Sequence, residues 1–333
     1  MAAVDADAAP CCRHDRSGFA GRRHFVRGRV ELAMVWGLVG VVTLEILVTY
    51  WRLPWNELYH VTGSGPVGGL SRALLFLNFP AALVAIAVLL YLLDGFDGPI
   101  EFWLAVLGIV LSAAIFWPKI VDQGKLDARP VNAIAAVGVA FAFCLTLWGF
   151  RWGGSWKLVH VFGDRVRIAV AVVVLLVALP WEAADLGFSF DGVPGLGSIF
   201  LTGALRTQPG DPVFHPAVHH GHHHGLDGTL LVLVALILSR LLGAVRGRWL
   251  RGIFGAYLAL MFCYGIGNIA NDAWLEQVVK RGWTTWEVPD VTTPTASPAW
   301  GLIVLGAGCL WLLLVLPGLR SGDHAEGSST AKP

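Results

Sequence analysis

ELAMVWGLVGVVTLEILVTYW, residues 31–51, holds a single charged side chain, Glu45, between its two ends. A helix needs about 20 predominantly apolar residues to cross the roughly 30 Å hydrocarbon layer of a bilayer, and this run meets that length. It predicts a spanning helix. Seven further runs of the same character follow, at residues 73–93, 100–117, 131–150, 166–186, 226–242, 253–269 and 300–316. The reading is an all-α polytopic transmembrane bundle of about eight spanning helices. The sixth and eighth runs are the shortest, so their ends are the least defined.

Composition agrees. The 333 residues are 56% hydrophobic and 14% charged, whereas a soluble domain carries about a quarter charged residues. The formal net charge of +1 suggests neither a polycation for nucleic acid nor an acidic scaffold. Of five cysteines, Cys11 and Cys12 lie before the first span and Cys144, Cys263 and Cys309 lie in apolar runs, too scattered for a disulfide framework. Residues 1–30 contain six arginines, no apolar core of signal-peptide length and no small-residue cleavage site. They read as a basic, disordered tail, with the first span retained as insertion signal. Residues 31–318 form one membrane domain with a long outer loop at 187–225, and 319–333 form a polar, disordered tail. Localisation is expected to be the cell membrane, multi-pass.

Tryptophans cluster where the runs end, at Trp51, Trp55, Trp117, Trp148, Trp152, Trp181, Trp249 and Trp300, as an interfacial aromatic belt predicts. Pro80 and Pro180 fall inside runs, where a membrane helix can bend while its neighbours satisfy the freed carbonyls. With the N-terminal tail inside, sixteen of the twenty-four Lys and Arg residues fall on the inner side. Positive loops stay cytoplasmic, so the expected orientation is N-in and C-in.

Under that topology the reactive side chains gather on the outer side. The densest group is DPVFHPAVHHGHHHGLD, holding Asp211, His215, His219, His220, His222, His223, His224 and Asp227, six of the chain's eleven histidines. Histidine is the commonest side-chain metal ligand. His215, His219 and His223 are spaced by four, which on a helix places them on one face, and His220 and His224 repeat the spacing. Zinc, copper, iron and nickel all suit such a set. Pro216, Gly221 and Gly225 weaken the helical reading, and a solvent-exposed run that binds metal adventitiously or senses pH is the alternative.

Three other groups share that side. Asn268, Asp272 and Glu276 recur every four residues in NIANDAWLE, an oxygen-rich face that could hold a cation or orient a histidine, or simply a polar stripe leaving the membrane. Glu57 and His60 have the Glu-x-x-His spacing that supplies two ligands from one turn. Pro180-Trp181-Glu182 with Asp185 pairs a bend with two carboxylates. Glu45 lies deep within the first span, where an ionisable group is costly and by default functional. The glycine-rich TGSGPVGG, residues 62–69, lacks the strand and lysine of a phosphate loop and reads as a flexible turn.

The HHGHH pattern at residues 219–223 resembles one histidine box of membrane fatty-acid desaturases and hydroxylases, whose di-iron sites draw on several such boxes. The other boxes are missing, and no family is assigned on this motif.

Three functions remain open. In the first, His215, His219, His220, His222, His223, His224, His60 and Glu276 hold a divalent transition metal, Zn, Cu or Fe. Glu57, Glu182 or Asp272 is then the general base of an enzyme acting on a lipid or lipid-linked substrate. The second is a metal-ion or small-solute transporter whose path is lined by Glu45, Glu182 and Asp185. The third is a noncatalytic membrane scaffold or assembly factor docking a protein partner. The lipid bilayer is the expected partner in all three, a small-molecule or lipid substrate in the first, and nucleic acid in none. The weight falls on the enzyme.

Overall fold

The computed structural model describes residues 28–52, 65–96, 98–117, 133–151, 155–188, 190, 192–200, 205–208, 211–216, 224–289, 291 and 295–326. Among them the architecture is helical, with one two-stranded ribbon. The helices are α1 (Arg29–Arg52), α2 (Gly65–Asn78), α3 (Pro80–Leu93), α4 (Pro99–Ser112), α5 (Ala133–Phe150), α6 (Asp164–Asp185), α7 (Leu196–Phe200), α8 (His224–Ser239), α9 (Arg248–Trp274) and α10 (Pro298–Glu326). The ribbon pairs β1 (Leu205–Gln208) with β2 (Asp211–Pro216), antiparallel, between α7 and α8.

Six helical segments are long and apolar enough to cross a membrane: Arg29–Arg52, Pro99–Phe116, Ala133–Phe150, Asp164–Asp185, His224–Ala244 and Arg248–Val279. Helices α2 and α3 pass the same test only together, with a 42° bend between them. The apolar part of α10, Pro298–Leu313, is shorter. In lipid every backbone group must find an internal partner, which is why the apolar runs fold as helices and not as strands.

The bend has a local cause. Pro80 opens α3 and has no N–H to donate back into α2, and Phe79 before it leaves helical geometry at φ −123°, ψ −82°. Pro180 has no such effect on continuity, since α6 runs through it as one helix. The glycine-rich segment expected to be a turn is helical from Gly65 onward. Packing explains this correction: a Cβ on Gly69 would lie 2.4 Å from the Leu47 carbonyl oxygen of α1, so the glycine admits close helix contact.

Helices α3 and α8 form the centre. Of the apolar window in His224–Ala244, 78% is buried, against 22% to 39% for the corresponding windows of α1, α4, α5 and α6. Those four show apolar side chains outward, as Val166, Val173 and Leu176 do on α6, and lipid is the solvent that such a surface suits.

One end of the bundle is tied by charge. Arg240, just past α8, pairs with Asp164 at the start of α6 and with Glu31 at the start of α1, the latter at 3.1 Å, and donates to the Val159 carbonyl at 2.6 Å. Arg167 adds a 3.3 Å pair to Asp164 and a 2.8 Å hydrogen bond to Ser239. Asp94, past α3, accepts the backbone N–H groups of Arg246 at 2.8 Å and Gly247 at 3.0 Å where α9 begins.

Candidate functional site

At the opposite end of the bundle, α9 supplies the most concentrated polar face. A four-residue repeat drifts by about 40° per step around a 3.6-residue helix, so Asn268, Asp272 and Glu276 should slide gradually off one face. They stay inward, with 3%, 2% and 0% of their surface exposed. The wider π turn at Leu275–Val279, closed by Lys280 N–H to Leu275 O at 2.9 Å, turns the phase back and brings Lys280 onto that face too. Asn271 points elsewhere, donating to the Val288 carbonyl at 2.6 Å.

Each carboxylate on this face has work within the fold. Asp272 Oδ2 accepts the backbone N–H of Gly225 at 2.6 Å, in the first turn of α8, where the positive end of the helix dipole favours an anion. Glu276 accepts the indole N–H of Trp181 from α6. A Cβ on Gly225 would lie 2.5 Å from the Trp181 ring, so that glycine lets the indole lie flat across the start of α8. Asn268 donates to the Tyr264 carbonyl at 2.8 Å. Burial pushes the Lys280 ammonium below its ordinary pKa, and the neighbouring Glu276 and Asp272 carboxylates push it back up.

A second group meets the first across α6. Glu45 of α1 faces Glu182 and Asp185 of α6. Of the two, Glu182 acts on it more strongly, yet neither Glu45 oxygen, both buried, has a partner of good hydrogen-bond geometry among the described residues. Thr49 and Arg52 hold the same stretch of α6 by donating to the Asp185 carbonyl at 3.2 and 2.6 Å. Arg72 of α2 is buried with its guanidinium 5.6 Å from the Tyr50 ring, and Asp227 of α8 is buried as well.

This end of the bundle therefore carries two groups, Glu45 with Glu182 and Asp185 on α1 and α6, and Asp272 with Glu276 on α9, linked through Trp181. Asp272, expected as a general base, is engaged in fixing α8. Glu276, expected as a metal ligand, holds Trp181 beside an ammonium. Among the described residues no group of three or more His, Cys, Asp or Glu is arranged to hold a metal ion. No protein-family model matches the chain, and no curated protein or solved structure matches it.

The histidine tract departs from expectation at its start. His215 lies on β2, paired with Arg206 across the ribbon, so it cannot share a helix face with His219 and His223. Pro212 and Pro216 disfavour a helix there and suit an edge strand. His224 opens α8 and is half-buried. Glu57, His60, His219, His220, His222 and His223 lie outside the described residues.

Lys280 was the position that spacing missed, although it continues the repeat by four from Glu276. Replacing it with methionine removes the cation beside two buried carboxylates, and is expected to destabilise the protein by about 3 kcal/mol. Adding Glu276→Gln should recover part of that loss, because one of the two uncompensated charges is then gone. Denaturant unfolding of the detergent-solubilised single and double variants checks this, and strict additivity would show the two side chains uncoupled.

Proposed function

We propose that the chain is an eight-span membrane protein with both ends in the cytoplasm, whose outer end carries a metal-assisted site for a lipid or lipid-linked substrate. In this reading α2 with α3, and α10, complete the eight spans, and the end tied by Arg240 is the cytoplasmic one. The histidines of the tract hold a divalent transition metal, Zn, Cu or Fe, that polarises a carbonyl or phosphoryl oxygen or activates water. Glu182 serves as general base beside Glu45, and Asp272 and Glu276 position α8.

The supporting observation is convergence. Glu45, Glu182 and Asp185 gather at the end of the bundle that also holds Asp272 and Glu276, and the histidine tract runs in sequence directly into it, His223 being joined to His224 and Gly225, which Asp272 holds. Buried ionisable groups gathered at one membrane boundary cost stability and mark functional sites more often than structural ones. The transport reading is favoured by Glu45 facing Glu182 within the spans, but the central α3 is apolar from Pro80 to Leu90 and offers a path no polar wall.

Elemental mass spectrometry of the detergent-purified, untagged protein tests the proposal. Stoichiometric metal is expected in the wild type, and its loss in a variant carrying His219→Ala, His220→Ala and His223→Ala. Adding His215→Ala should then change little further, given its place on the ribbon. A metal-free wild type, even after supplementation, would sink the metal-assisted reading.

A further inference from the structure

We propose that the connection at residues 155–163, between α5 and α6, is a lipid-recognition strap. Its apolar side chains enter the acyl boundary of a leaflet, and the basic side chains around it bind anionic phospholipid headgroups. The strap forms neither helix nor strand, yet Trp156, Leu158, Val159 and Phe162 all face outward, Phe162 with 96% of its surface exposed. A connection in water is usually polar, and one that shows four large apolar side chains calls for an apolar partner.

The strap is also held in place. Arg240 takes the Val159 carbonyl at 2.6 Å, Arg167 takes the Phe162 carbonyl at 2.8 Å, and Asp164 Oδ2 accepts the Val161 N–H at 2.8 Å. Gly163 makes the turn into α6 at φ 86°. The buried charge network thus fixes the backbone from inside while the apolar side chains remain outside.

Two observations select a lipid as the occupant. The apolar surface is continuous with the outward faces of the two helices it joins, through Trp148 on one side and Val166 and Ile168 on the other. The charge is also complementary. Arg151, Lys157, Arg165, Arg246 and Arg248 are exposed at this end of the bundle, whereas the carboxylates of Glu31 and Asp164 there are buried and those of Asp94 and Glu101 partly buried. Trp249, exposed beside Arg248, adds the ring that favours a headgroup boundary. A basic residue near an anionic surface strengthens binding by roughly fivefold.

The test uses the full chain in phosphatidylcholine vesicles containing phosphatidylglycerol. A nitroxide is placed at Phe162→Cys in a background whose native cysteines are replaced by alanine. The expected nitroxide is reached by oxygen dissolved in the acyl region and shielded from an aqueous nickel chelate. Spin-labelled phosphatidylglycerol should associate roughly fivefold better than phosphatidylcholine, with the ratio falling towards one in Lys157→Glu/Arg165→Glu. Phe162 makes almost no internal contact, so its replacement leaves the fold intact. A nickel-accessible nitroxide would overturn the proposal and assign the strap to a soluble partner. Equal association of the two lipids with the wild type would overturn it as well.

Discussion

Arg240→Ala should unfold at much lower denaturant than the wild type, with a loss of about 3–5 kcal/mol. The guanidinium is 11% exposed and its partners Glu31 and Asp164 are 9% and 8% exposed, so water can do little to solvate the carboxylates it leaves behind. Arg167, 3.3 Å from Asp164, compensates one of them in part. The strap carbonyl of Val159 loses its donor in the same step. Arg240→Lys keeps the charge but not the fork that reaches three acceptors on three segments, and should fall between the two. The contrast is Arg246, whose side chain is 51% exposed in its pair with Asp94; removing it should cost at most about 1 kcal/mol. Tryptophan fluorescence during unfolding in micelles reads all three. If Arg240→Ala lies within the range of Arg246→Ala, the buried network does not hold α1, α6 and α8 together.

That network shows what the sequence makes legible and what it hides. The apolar runs were readable because hydrocarbon admits no unsatisfied backbone, so length and composition alone define a helix. Residue by residue, Pro80 also announced its bend. Which helices lie inside was hidden, because a helix facing lipid and one facing protein are equally apolar; nothing in the composition of α3 or α8 separates them from α5. The inner ion pairs were hidden by distance along the chain, Arg240 and Glu31 being 209 residues apart. Their charges entered the expected orientation by their count alone and were silent about partners.

At the candidate site the four-residue repeat of Asn268, Asp272 and Glu276 was legible, because helical spacing is local. Its extension to Lys280 was overlooked since the apolar run stops near Ile269, and no sequence signal foretells the π turn that restores the phase. Trp181 read as a belt residue, but its indole is buried against Glu276. The i, i+4 pattern of the histidines failed at His215 for a simple reason: spacing implies a face only where the backbone is helical, and His215 lies on a strand between Pro212 and Pro216, both part of it.

Gly265→Leu is expected to be as damaging as the loss of Arg240, for a steric reason. A Cβ at Gly265 would lie 2.7 Å from the Gly228 carbonyl oxygen, and one at Gly228 would lie 2.5 Å from the Gly265 carbonyl oxygen. Each glycine thus faces the other's backbone across the α8 and α9 crossing, the small-residue contact by which membrane helices approach closely. Neither position has positive φ, so space and not backbone conformation demands glycine. A side chain that meets backbone cannot be accommodated by a rotamer change, and the helices must separate. Overpacking of this kind costs about 3 kcal/mol. Gly265→Ala already meets the contact, and its gain in helix propensity of about 1 kcal/mol should not offset it. Gly252, in the same helix with nothing within 4 Å of a Cβ, isolates that propensity gain, so Gly252→Ala should be neutral or slightly stabilising. Separation of α8 from α9 also draws Asp272 away from Gly225, so protection of the Gly225 amide from hydrogen exchange should fall in Gly265→Leu and hold in Gly252→Ala. Equal stability of the two alanine variants would mean that the crossing tolerates a wider gap, and the close approach would lose its role in placing Asp272.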